Sequence, residues 1–216
     1  MRLLVLVLPA LVLPGKEHVV PEVAVMLGPL PRTIRTFRRK YPSLDFRLTE
    51  MASSAILEAV RNGAADLGLL RGADQDPAVR TQIRWKEPMV AILPNDFSAP
   101  ESPLAATRLR NQPFVFFPRH LGPSFYDETI AWSRRAGFVP QVAQEARQWS
   151  SIMSLVAAGM GVSIGPESIA GLMPKAVRCV PLQGFTTTVR LVSRTGEPAP
   201  AVRNFVRIAG EALRYN

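Results

Sequence analysis

For residues 44–71, LDFRLTEMASSAILEAVRNGAADLGLLR, the sequence pattern predicts a strand, a helix and a second strand in close succession. The segment 44–50 alternates apolar and polar residues, which predicts a β-strand with one buried face. Ser53 or Ser54 can cap the helix that follows, and the apolar run 65–71 is typical of a buried strand. A strand, a crossover helix and another strand form the repeating unit of a parallel sheet, so this stretch predicts an α/β fold.

A further helix is predicted just before this unit. Leu30, Ile34, Phe37 and Tyr41 recur at spacings of four, three and four, which is typical of one buried helical face. The basic residues of the cluster 32–40 then fall largely on the other faces. We therefore interpret this cluster as a solvated helix surface and not as a DNA contact.

The rest of the chain continues the alternation of strands and helices. We expect strands at 87–94, 113–118, 162–166, 178–182 and 187–194, and helices at 124–136, 149–158, 167–173 and 199–215. This order predicts two Rossmann-like lobes joined by two crossover strands. Lobe I comprises residues 1–91 plus 183–216, and lobe II comprises residues 92–182. In such folds a ligand lies in the crevice at the carboxyl ends of the strands.

The motif GMGVSIG at 159–165 matches two patterns, the G-x-S-x-G elbow of serine hydrolases and a glycine-rich phosphate turn. Both patterns require a strand before the glycines and a helix after them, whereas here a predicted helix comes first. No histidine follows His120, so Ser163 has no base later in the chain. We interpret the glycines as a turn, and we expect no catalytic residue.

Composition narrows the class of protein. The net charge of +9 and the isoelectric point of about 10.7 would suit a nucleic-acid-binding protein. However, the basic residues are scattered and are not interleaved with aromatic ones that could stack on bases, so we do not infer a nucleic-acid site. The single Cys179 excludes an internal disulfide and lies in an apolar run, so we expect a buried, unreactive thiol. With two histidines besides it, we expect no zinc site, and no cofactor is indicated.

The first fifteen residues, MRLLVLVLPALVLPG, predict a strand followed by irregular chain. A secretory signal is the alternative, but the run contains two prolines and no A-x-A cleavage site. It is also too short to span a bilayer, and we expect no membrane partner.

Three segments in order, LPRTIRTFRRKYPSLDFRLTE (30–50), LEAVRNGAADLGLLR (57–71) and LVAAGMGVSIGPES (155–168), resemble the effector-binding domain of LysR-type transcriptional regulators. The resemblance covers about residues 30–216. It implies type-2 periplasmic-binding-protein-like lobes around an inducer cleft, in a cytoplasmic homodimer or homotetramer. DNA is read by an amino-terminal winged helix-turn-helix, whose pattern does not precede residue 30 here. The helix 30–41 would pair with the lobe II helix of a partner chain.

The resemblance also implies site residues for a small organic acid, aromatic or dicarboxylic. Ser53, or Ser54 if the register shifts by one, would hold the inducer carboxylate, and Arg71 a second anionic group. In lobe II the matching positions are Ser124, Phe125, and Glu145 or Gln148. Structural alternatives exist for three positions: Ser53 as a helix cap, Arg71 as a solvent-facing strand end, and Phe125 as a core residue.

One feature departs from the family pattern. Relatives carry serine or threonine in a loop before the first helix, but here VVPEVAVMLGP (19–29) contains neither. Either VAVML (23–27) is the first strand with a shortened loop, or MRLLVLVLP (1–9) is that strand. Because this loop lacks the usual hydroxyl groups, the identity of the inducer is open. The alternative function for the whole chain is that of a periplasmic solute-binding protein of the same fold.

Overall fold

The chain is an α/β protein in a computed structural model that describes residues 2–7, 30–50, 53–72, 76–98 and 101–213. Residues 2–7, 50, 53 and 54 are described by their backbone. The strands are β1 (Arg2–Val7), β2 (Asp45–Glu50), β3 (Leu67–Arg71), β4 (Val79–Pro94), β5 (Pro113–Phe116), β6 (Gln141–Glu145), β7 (Ser163–Pro166) and β8 (Val177–Arg194). The helices are α1 (Leu30–Lys40), α2 (Ser53–Arg61), α3 (Pro123–Arg135), α4 (Trp149–Ala157) and α5 (Pro200–Leu213).

Two compact units divide the chain. The first comprises Met1–Trp85 with Thr188–Asn216, and the second comprises Lys86–Thr187. Strands β4 and β8 each run from one unit into the other, as the prediction of two joining strands requires. The expected boundaries had placed residues 86–91 and 183–187 in the first lobe, whereas they lie in the second unit. Both observed boundaries fall inside continuous strands, β4 and β8.

In the first unit a mixed sheet lies between helices. Strand β1 pairs in parallel with β2 and with β3, and β3 pairs antiparallel with β8. Leu67, Leu69 and Leu191 belong to the core cluster that contains residues of α1 and α5, whereas Leu70 and Val192 pack with residues of α2. Because alternate strand residues point to opposite faces, α1 and α5 cover one face and α2 covers the other.

Helix α1 buries the face that the sequence predicted. Phe37 is fully buried, and its ring lies 5.0 Å from that of Tyr41 and 5.2 Å from that of Phe205 in α5. The basic residues of the cluster face solvent, namely Arg32, Arg35, Arg38, Arg39 and Lys40. The interpretation of this cluster as a solvated surface is confirmed.

Strand β1 lies at the amino-terminal end of the chain. It pairs with all six residues of β2, from Arg2 opposite Asp45 to Val7 opposite Glu50. Of the two alternatives for the first strand, the structure therefore has the one within residues 1–9. The segment 23–27 lies outside the described residues.

The second unit repeats the same pairing pattern. Strand β5 is parallel to β6 and forms a parallel bridge from Phe114 to Val162, just before β7. Strand β7 in turn pairs antiparallel with β4, as β3 does with β8 in the first unit. Each unit thus has one strand between two parallel neighbours, and an antiparallel strand pairs with one of those neighbours. This is the predicted two-lobe architecture.

Several predicted elements are extended or changed. The strand expected at 87–94 begins at Val79, and the strands expected at 178–182 and 187–194 are one continuous β8. The helix expected at 167–173 is a 3-10 helix, Glu167–Leu172. No helix within the described ranges is long and apolar enough to cross a membrane.

Candidate ligand-binding site

The carboxyl ends of the parallel strands in the first unit form one edge. Val7 is opposite both Glu50 and Leu69, so β1, β2 and β3 end close together. Helix α2 begins three residues after β2 ends, and Arg71 is the last residue of β3. The edge therefore combines a helix amino-terminus, where free N–H groups favour an anion, with a guanidinium group.

Arg71 is buried, with 8% of its surface exposed, so the alternative of a solvent-facing strand end is wrong. The backbone after it is held from both sides. Gly72 donates its N–H to the carbonyl oxygen of Thr188 at 2.9 Å, and Arg190 Nε donates to the carbonyl oxygen of Gly72 at 2.9 Å. Arg71 is therefore carried on a fixed strand end.

Arg71 and α2 share the edge but not the face. Leu67, Leu69 and Arg71 occupy every second position of β3, so their side chains point to the same face of the sheet. This is the face that α1 and α5 cover. Ser53 and Ser54 are the first two residues of α2, and their side chains lie outside the described residues. This arrangement suits two separate anion contacts at one edge better than one shared contact.

The second unit has a corresponding edge at the ends of β5 and β6. Phe116 is opposite Glu145, and Ala146 donates its N–H to the carbonyl oxygen of Phe116 at 2.9 Å. Glu145 is exposed at the end of β6, and Gln148 is exposed immediately before α4 with no side-chain hydrogen bond to cap that helix. The structure thus brings both predicted polar residues to this edge.

The start of α3 lies beyond the end of β5. Ser124 is half-buried in the first turn of α3, which Pro123 opens. Phe125 is a core residue, as its structural alternative proposed: its ring stacks on Phe117 at 5.2 Å and lies edge-on to Trp149 at 6.3 Å. Sequence reasoning did not single out Trp149, whose only signal is its place at the first position of the predicted helix.

A surface ion pair stands at the amino-terminal end of α3. Arg119 donates from Nε to Asp127 Oδ1 at 2.8 Å and from a terminal nitrogen to Oδ2 at 2.6 Å. This bidentate pairing lowers the pKa of the Asp127 carboxyl from its ordinary value of 3.8. Asp127 is therefore a carboxylate that is already engaged, and not a proton donor for a ligand.

The glycine motif at 159–165 carries no nucleophile. Ser163 is fully buried in β7, opposite Ile92, and its hydroxyl has no hydrogen-bond partner within the described part of the chain. Helix α4 precedes the first two glycines of the motif and strand β7 begins after them, at Ser163, so the turn interpretation is confirmed. Across the described ranges, no group of three His, Cys, Asp or Glu side chains could hold a metal ion.

Two α/β units connected by two strands, each with helix amino-termini at the carboxyl edge of a parallel sheet, define the type-2 periplasmic-binding-protein class. The family described as "LysR substrate binding domain" matches residues 19–214. The chain belongs to this family, and the resemblance seen in its three sequence segments is confirmed.

Relatives with curated names are transcriptional regulators. The uncharacterised HTH-type transcriptional regulator YnfL of Escherichia coli K12 is 32% identical over 177 residues, which are 80% of this chain and 60% of that protein. The HTH-type transcriptional regulator CatR of Pseudomonas putida is 29% identical over 184 residues, 84% of this chain and 63% of that protein. The chain thus spans about three fifths of the length of these relatives, whose family is not one of enzymes.

Solved structures agree on the fold. The effector-binding domain of BenM with its effector benzoate is 22% identical, covers 99% of this chain and 92% of its own, and gives a TM-score of 0.81. Full-length CbnR complexed with its target DNA is 21% identical, covers 98% of this chain and 70% of its own, and gives a TM-score of 0.80. These likenesses confirm the predicted fold.

Proposed function

We propose that the chain is the inducer-sensing and oligomerising part of a LysR-type DNA-binding transcriptional regulator, and that its inducer is a small organic acid. The observation that carries the ligand class is the buried Arg71 at the end of β3, on the edge where α2 begins. A guanidinium group at this edge can hold a carboxylate in a bidentate manner, which combines geometric fit with opposite charge.

An aromatic or dicarboxylic acid is the class we favour. The BenM domain, which shares the fold, was solved with benzoate, an aromatic carboxylate. Arg71 would hold one anionic group, and the amino-terminal turn of α2, with Ser53 or Ser54, would hold another. In the second unit, the corresponding ligand-contacting residues would be Ser124, Glu145 and Gln148, at the edge where β5 and β6 end.

The whole protein would act on DNA as a cytoplasmic homodimer or homotetramer. Its DNA-reading part would lie outside the family match, because the curated relatives are longer and are named HTH-type regulators. The exposed basic surface of α1 would meet a partner chain. Since these relatives are regulators, we favour this function over a periplasmic solute-binding protein.

The test is calorimetric titration of the purified chain with benzoate, terephthalate and adipate, and with benzamide as the uncharged control. Arg71→Gln should weaken the binding of the preferred acid about tenfold or more, because it removes a charge-assisted hydrogen bond. Arg61→Gln, an exposed position at the end of α2, is the matched control and should leave affinity unchanged.

Three results would count against the proposal. Unchanged affinity in Arg71→Gln would reject the role of Arg71. Benzamide binding as tightly as benzoate would reject an acid as ligand. Stabilisation by sugars or amino acids instead of acids, in a thermal-shift screen, would favour a solute-binding protein. A true ligand at about 100 times its Kd should add about 2.7 kcal/mol of stability.

A further inference from the structure

The face of the first-unit sheet that carries α2 is only partly covered. Val192 packs under α2. Thr188 and Arg190 occupy every second position before it along β8, so they lie on the same face of the sheet, and both are only half-buried. They line a surface pocket of about 470 Å³ together with residues of α2 and β4. This volume is within the range of about 300–1,000 Å³ that is usual for small-ligand sites.

The pocket has a polar side and an apolar side. Arg84 and Arg190 contribute two guanidinium groups, and Thr81 and Thr188 are the hydroxyl-bearing residues. Leu57 and Val79, both half-buried against the core under α2, form the apolar side. A ligand there would meet a cationic wall and an apolar wall at once.

The balance of charge in the pocket is positive. Asp76 is the carboxylate in its lining, and one of its oxygens already accepts the N–H of Ala78 at 2.8 Å. Arg84 is exposed and makes no hydrogen bond or ion pair with any other residue that the structure describes. Arg190 is fixed in place by its bond to the carbonyl oxygen of Gly72.

We propose that this pocket is a second ligand site, which takes a small organic anion with one carboxylate and a short apolar body. The guanidinium of Arg84 holds the carboxylate, since charge-assisted hydrogen bonds of this kind are the strong ones. Arg190 adds positive charge beside it, the threonines accept or donate hydrogen bonds, and Leu57 and Val79 cover the apolar body.

The pocket is separate from the Arg71 site. Arg71 does not line it, and by alternation along β3 its side chain lies on the opposite face of the sheet. The inference therefore does not depend on the proposed inducer function: either site can exist without the other, and a different arginine tests each.

The test is an NMR titration of the ¹⁵N-labelled chain with benzoate, benzamide and inorganic phosphate. We expect saturable shifts of the amides of Thr81, Arg84 and Thr188 with benzoate, and much smaller ones with benzamide. Arg84→Gln should weaken this binding about tenfold. Arg71→Gln should leave these shifts intact.

Arg80→Gln is the matched control, because Arg80 is an exposed arginine on the same strand and does not line the pocket. It should retain the affinity of the unmodified chain. Equal weakening in Arg80→Gln and Arg84→Gln would overturn the proposal, because benzoate binding would then depend on the overall positive charge of this surface and not on a contact with Arg84. Absence of saturable shifts with benzoate, or saturation by phosphate alone, would also overturn it.

Discussion

Gly161 approaches strand β5 so closely that a Cβ atom built on it would lie 2.2 Å from the carbonyl oxygen of Pro113. The same contact carries two hydrogen bonds: Val162 donates to Pro113, and Val115 donates to Val162, each at 2.9 Å. Gly161 also has φ of +144°, where residues with a side chain are strained. The second glycine of GMGVSIG thus joins β5 to the segment that enters β7.

Gly161→Ala should destabilise the chain by about 3 kcal/mol or more, because backbone strain and a clash with a main-chain atom add together. Urea unfolding followed by circular dichroism measures this loss. Gly159→Ala is the control: its φ is +77°, but nothing lies within 4 Å of the added carbon. We expect about 1 kcal/mol there. Equal losses at the two positions would show that the close approach to Pro113 has no effect.

The second unit depends on a stacked aromatic pair. The rings of Trp132 in α3 and Phe185 in β8 lie 4.8 Å apart with an angle of 12° between their planes, and both residues are buried. Trp132→Ala should cost about 3–5 kcal/mol of unfolding free energy, whereas Trp132→Phe keeps a ring in the stack and should cost less. Leu172→Ala, at a position that is 36% exposed, should cost well below either. A Trp132→Ala loss as small as that of Leu172→Ala would contradict this account.

Local signals predicted the helices well. The buried face of α1 follows from the spacing of its apolar residues, and α2 and α3 each end two residues before a glycine. Gly63 and Gly137 have φ of +79°, a conformation that only glycine adopts without strain. These features depend on neighbours in the chain, so the sequence contains the information needed to find them.

Features that depend on distant parts of the chain were missed. Strand β6, Gln141–Glu145, is exposed at every residue and shows no apolar alternation, so only its pairing with β5 defines it. Strand β8 continues through Gly184, which has φ of +65° and would usually indicate a turn. For Phe125 the sequence left a ligand contact and a core position both open, because its burial comes from Phe117 and Trp149, which are distant in the chain or outside its helix.

The ion pair between Arg119 and Asp127 should make a small contribution that depends on pH. Pairing lowers the pKa of Asp127 in the folded chain, so the contribution is present above the unfolded value and is lost as the pH falls through the folded value. The stability difference between the unmodified chain and Asp127→Asn should therefore shrink below about pH 4. Urea midpoints at neutral and acid pH measure it. A stability difference between the unmodified chain and Asp127→Asn that grows on acidification would contradict the lowered pKa. Asp96→Asn, at an exposed carboxylate, is the control.

Cys179 should react slowly with alkylating reagents in the folded chain. Cys179 is half-buried, and not fully buried as its apolar neighbours suggested. This partial burial raises the pKa of its thiol from 9.0 to about 11, so at pH 8 roughly one thiol in a thousand is ionised, against roughly one in ten when unfolded. Because the thiolate is the nucleophile, labelling by iodoacetamide at pH 8 should be about a hundredfold slower in buffer than in urea. Mass spectrometry of timed samples gives both rates, and the rate in buffer should rise with pH towards about 11. Similar rates in buffer and in urea would mean that the thiol is reactive, against the expectation from its apolar neighbours.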